Sequence, residues 1–140
     1  MVKNLICEYV ILGIPVPWAA PKFSHCMAYD IRKKAKEEII EELKALKSSI
    51  SIAMIDFPIH VDFCFEMPMP ASWPKKKKLA VMEGNRVWHS SKPDRSNMTK
   101  LYEDCLERAG IIKNDSLIVS GDSRKYYSDT PRVLIFILRT

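Results

Sequence analysis

No apolar run in the 140 residues is long enough to span a bilayer, so no transmembrane helix is expected. The four cysteines (Cys7, Cys26, Cys64, Cys105) are widely scattered and no pair has CxxC spacing. A cysteine zinc site is therefore not expected. The short apolar run after Lys3 contains Glu8 and no cleavage motif, which speaks against a signal peptide. Free thiols and a reducing cytoplasm are the expectation. No internal repeat or low-complexity tract stands out, and the length suits one domain, residues 1–140, but not two. With 47% hydrophobic residues, the chain can bury a core.

What the chain does have is a positive excess, +5 at neutral pH with a pI near 9.0. An anionic partner is expected, nucleic acid first. The strongest charge run is Lys75, Lys76, Lys77 and Lys78, which follows a proline-rich turn and can contact phosphates without reading bases. Trp73, Trp88 and His89 either pack internally or stack on unpaired bases.

Periodicity orders the elements. Residues 5–14 read as a first strand, and the three prolines of Pro15 to Lys22 forbid regular structure there. Asp30 to Leu46 is a helix with Ile31, Ala35, Ile39, Leu43 and Leu46 inward, and Lys and Glu alternating on the solvated side. Phe57 to Met67 alternates as a strand buried on one face. His60 and Asp62 share its polar side and invite a metal, but nothing nearby in the sequence completes a site, so a half-exposed pair is expected. Gly84 to Ser91 is a loop. Short strands follow at Ser116–Ser120 and Arg124–Tyr127, and the nearly continuous apolar run Arg132–Leu138 predicts a central sheet position. The sum is an α+β domain with a small mixed or antiparallel sheet packed against helices.

The densest chemistry lies between Lys92 and Asp115. Pro93 disfavours helix at Lys92, Asp94 can cap a helix start, and Gly110 can end it. At about 100° per residue, Asn97, Lys100 and Asp104 share one sector, while Met98, Leu101, Cys105 and Ala109 form an apolar side. Carboxylates suit Mg²⁺, which can activate water for displacement at phosphate, and a lysine can offset charge in the transition state. The same residues also describe a plain surface helix with an Asp cap and a solvated Lys/Asp pair.

This stretch resembles the RusA family of Holliday-junction resolvases, whose pattern reads K-P-D-x-D-N-x-x-K, an Asp four residues on, a Gly six later, then D-D before a strand. Asp94, Asn97, Lys100, Asp104, Gly110 and Asp115 meet it without a gap. Ser96 and Asn114 stand where the family usually has Asp. The segment Ser72-Trp73-Pro74-Lys75-Lys76-Lys77 and the closing Pro131-Arg132 strand are also similar, whereas Ala20-Pro21-Lys22 replaces a common Arg-Pro-Arg.

The resemblance implies a homodimeric Mg²⁺-dependent endonuclease, with Mn²⁺ a substitute, acting on branched DNA in a bacterial cytoplasm and encoded by a phage or prophage. Asp94, Asp104 and Asp115 would hold the metal, with Ser96 and Asn114 as neutral contributors. Asp94, Lys100 and Asp115 would be catalytic, Asn97 and Gly110 supporting, and Lys75–Lys78, Lys22 and Arg124 would touch DNA. A catalytically inactive junction-binding protein of this fold, or an unrelated interaction domain with an acidic helix, remain alternatives.

Overall fold

The computed structural model describes residues 4–18, 22–24, 27–29, 33–50 and 52–140, with the strands at 22–24 and 27–29 given by their backbone alone. The expected helix start at Asp30 and Ile31, and Cys26, lie outside them. In chain order the elements are β1 (Leu5–Leu12), β2 (Lys22–Ser24), β3 (Met27–Tyr29), α1 (Lys33–Ser49), β4 (Ile59–Pro68), α2 (Lys75–Met82), α3 (Arg95–Arg108), a 3₁₀ turn (Asp115–Leu117), β5 (Ile118–Ser120), β6 (Ser123–Ser128) and β7 (Arg132–Arg139). β2 and β3 form a small separate hairpin.

The main sheet has five strands, and β7 lies inside it between β1 and β4. Its apolar run suits that position: Val133, Ile135 and Ile137 are fully buried, while Leu134, Phe136 and Leu138 on the other face are half-covered. β7 is antiparallel to both neighbours. The far edge of β4 pairs with β5 and then β6, both parallel. Thus β6 and β7, adjacent in sequence, flank β4 on opposite sides, and the α+β expectation holds with a mixed sheet.

One face of the sheet carries the helices. Ile59, Val61, Phe63, Phe65 and Met67 of β4 form a single buried core with Ile39, Ile40 and Leu43 of α1 and Met98, Leu101, Tyr102, Cys105 and Leu106 of α3. Tyr102 packs against Phe63 and Phe65, and its hydroxyl accepts a hydrogen bond from Val16 N at 3.1 Å. That bond lays the proline-rich segment after β1 across α3.

The lysine run, to which the sequence assigned no element, is the first turn of α2, entered from extended Pro74. Lys and Ala favour helix, and Lys77 resting on the Trp73 ring and Lys78 donating to Ala71 O offset the crowding of like charge. Ser116 and Leu117, expected in a strand from Ser116 to Ser120, instead belong to the 3₁₀ turn, because Asn114 Oδ1 accepts from Ser116 N and draws the chain tight.

Candidate active site and a second polar cluster

β5 and β6 run along one edge of β4 and are separated by a kink at Gly121. There the backbone presses on β4 so closely that a Cβ on Gly121 would lie 1.9 Å from Val61 O. Such a bulge re-aims the side chains beside it. α3 lies against the same edge: Arg95 Nη1 donates to Ser123 O at 2.8 Å, and the Thr99 and Ser123 hydroxyls are 2.9 Å apart. Between helix and kink run two adjoining hollows of about 240 and 270 Å³ that share Thr99, Glu103, Gly121 and Ser123, with Ser96 and Lys100 at one end.

Glu103 is the half-buried acid of this groove. Burial raises its carboxyl above the usual range, and the charge of Asp115 raises it further. Asp115 is held at its backbone, whose N donates to Glu107 Oε1 at 2.9 Å. Glu103 lines the solvent-open groove, and exposed Asp115 is near enough to repel it; a pair of carboxylates open to solvent fits Mg²⁺, which takes one or two carboxylates and keeps its waters. Lys100 rests its Nζ 3.9 Å from the Trp18 ring, and Trp18 N donates to Asn97 O at 2.9 Å. The crossing segment therefore fixes where the ammonium sits.

Among the described residues, the three acids named from sequence form no group of ligand atoms within 4.8 Å of one another. Asp104 faces α1, paired with Lys36 and, at 3.1 Å, with Arg108. Asp94 occupies the cap position of α3 but makes no side-chain cap; it pairs instead with Lys92 at 3.0 Å. About 13 Å of helix axis separates residue 94 from residue 103, so Asp94 and Glu103 lie at opposite ends of the groove's helical wall. Asn114 spends its Oδ1 on the 3₁₀ turn. Gly110 does end the helix, with φ +74°. The acid that sequence reasoning missed is Glu103. Ser96, Lys100, Glu103 and Glu107 form a stripe at i, i+4, i+7 and i+11, only some tens of degrees from the sector first chosen, and local periodicity alone does not say which side faces the groove.

Asp104→Asn keeps the shape and removes one partner of a half-buried ion pair, so we expect it to cost about 1 kcal/mol of stability, read by urea denaturation.

Around Asp94 the charge is positive. Lys125 Nζ donates to Ser91 O and Pro93 O at 2.6 and 2.9 Å and so holds the loop before α3. Burial lowers its pKa, with the charge of Asp94 acting against that shift. Lys75 and Lys76 on α2 and Arg124 on β6 are exposed; for Lys22 only the backbone is described. Trp88 is 59% exposed, with Arg86 stacked near it, whereas Trp73 and His89 pack on Tyr127. Only Trp88 of these three is open to a base.

On the opposite face of the sheet, the pair His60 and Asp62 is completed after all. Asp122, from the Gly121 kink, joins them, and one ligand atom of each lies within 4.8 Å of the others. His60 Nε2 is 2.6 Å from Asp62 Oδ1, which also accepts from Asp122 N at 2.9 Å. The sequence could not show this, since Asp122 is sixty residues away.

Comparison with known proteins adds two matches. A family model described as "Endodeoxyribonuclease RusA" matches residues 13–138. The chain is also 31% identical over 134 residues to the uncharacterized protein YqaN of Bacillus subtilis (strain 168), which covers 93% of this chain and 94% of that protein.

Proposed function

Because the chain belongs to the RusA endodeoxyribonuclease family, we propose that it is a Mg²⁺-dependent nuclease that resolves four-way DNA junctions by paired phosphodiester hydrolysis, and that it works as a homodimer placing two grooves across one branched substrate. The observation that carries this reading is Glu103, a half-buried acid lining the solvent-open α3 groove, with the charge of Asp115 acting on it. Glu103 and Asp115 would hold the metal; Ser96, about 10 Å up α3 from Glu103, lines the far end of the groove and would meet the DNA strand rather than the ion. Bound there, Mg²⁺ supplies a Lewis acid and an activated water. Lys100, fixed on Trp18, stabilises charge gathering on the phosphate. Asp94, set in the cluster of Lys92, Arg95 and Lys125, orients the scissile strand at the other end of the helix. The lysines of α2 hold the DNA arms through phosphates.

The assay is cleavage of a synthetic four-way junction in Mg²⁺ or Mn²⁺, against EDTA and against plain duplex. Symmetric nicks on the junction alone are expected, and equal cutting of both substrates would overturn the assignment. A second reading, junction binding without cutting, is favoured by one observation: Ser96 and Asn114 replace two family carboxylates, and Asn114 is committed to a turn. It predicts retention of the junction in EDTA and no cleavage with either metal.

Lys75 and Lys76 yield a separate expectation. Each phosphate contact contributes about 0.9 to the log–log salt slope on duplex DNA. Replacing both with Ala should therefore shallow that slope by about 1.8, measured by filter binding over a salt series.

A further inference from the structure

We infer that His60, Asp62 and Asp122 form a second cation site, for a divalent transition ion of the zinc class, that clamps the β5–β6 kink onto β4. The donors are one imidazole and two carboxylates, a nitrogen and oxygen set that suits Zn²⁺. One ligand atom from each already lies within 4.8 Å of the others; the His60–Asp62 contact at 2.6 Å would open slightly and Asp122 would move in to bring all three to a common centre. The imidazole is prepared for this role. His60 is buried, and its Nδ1 sits 2.8 Å from Ser120 Oγ, leaving Nε2 directed at Asp62. A ligating histidine is oriented by a hydrogen bond at its other nitrogen in the same way. With the ion on Nε2, the ring proton sits on Nδ1 and Ser120 Oγ accepts it. Asp62 is half-exposed and Asp122 exposed, so an ion and its waters can enter from solvent.

None of the three ligands lines the groove, although Ser120, which bonds His60, stands at its wall. Val61 faces α3, and its neighbours His60 and Asp62 face the other side of the sheet, because successive strand residues alternate. Yet the two are joined through one loop. Gly121 and Ser123 line the groove, and Asp122 between them is the ligand. Three anchors already fix this kink: Phe63 N donates to Asp122 O at 2.9 Å, Asp122 N to Asp62 Oδ1, and Gly121 has no room to move toward Val61. The ion would add a fourth and make the groove wall rigid.

The test is Zn²⁺ titration of the EDTA-stripped full chain by calorimetry, with thermal melts in parallel. One Zn²⁺ per chain and a melting temperature raised by several degrees are expected. His60→Ala and Asp122→Asn should each weaken binding more than tenfold, and Ser120→Ala about tenfold. Asp115→Asn should leave it within twofold. Asp122 and Ser120 are exposed, so at least these variants fold and keep the test decisive. Absence of saturable binding, binding indifferent to Asp122→Asn, or binding lost with Asp115→Asn would each overturn the proposal.

Discussion

Asp115→Asn is expected to slow Mg²⁺-dependent junction cutting by roughly 10³-fold, the scale lost when a charged group that stabilises a phosphoryl-type transition state is removed. The substitution keeps the side-chain shape and the backbone bond to Glu107, so folding is not what it tests. It removes one of the two charges proposed to hold the cation. The same change acts on Glu103 with the opposite sign. Glu103 is an acid whose folded pKa is raised, by burial first and by Asp115 second. Such a group binds its proton more tightly in the folded state, so the stability it confers is present at low pH. That stability is lost as pH rises through the unfolded and then the folded pKa. Removing the Asp115 charge lessens this loss. The metal-free variant should therefore melt no lower than wild type at neutral pH, while its cutting collapses. Single-turnover cleavage and thermal melts at acid and neutral pH read both effects. Undiminished cutting, or a variant that melts well below wild type, would detach Asp115 from the site.

Gly121→Ala should be the most damaging single-methyl change in the chain. The added Cβ would meet Val61 O at 1.9 Å and Val61 C at 2.9 Å, both backbone atoms of a buried central strand. Neither side can yield without parting β5 and β6 from β4. That would break the Phe63 N to Asp122 O bond and separate Asp122 from Asp62. A cost of about 3 kcal/mol is expected, or roughly 10 °C in melting temperature for a domain of this size. Gly84→Ala is the control: nothing lies within 4 Å, but φ is +99°, so only backbone strain of about 1 kcal/mol is expected. Urea denaturation of the two variants should separate them by more than twofold in cost. Near-equal losses would mean that the kink tolerates displacement and does not set the groove.

The family itself was legible in the chain, because its motif from Asp94 to Asp115 is a local string. So were α1, α3, β1, β4 and β7, whose apolar residues recur at helical or strand spacing, and the inner position of β7, whose run is apolar on both faces. These features depend on neighbours in sequence.

What the tertiary structure alone decided depends on neighbours in space. Periodicity gives the angle between Glu103 and Asp104 on α3 but not the direction of the core around them. Lys36 on α1 claims Asp104, and the β5–β6 edge leaves Glu103 in the groove. Asp122 reaches His60 and Asp62 only because β6 lies parallel to β4, a pairing that no spacing within either strand reveals.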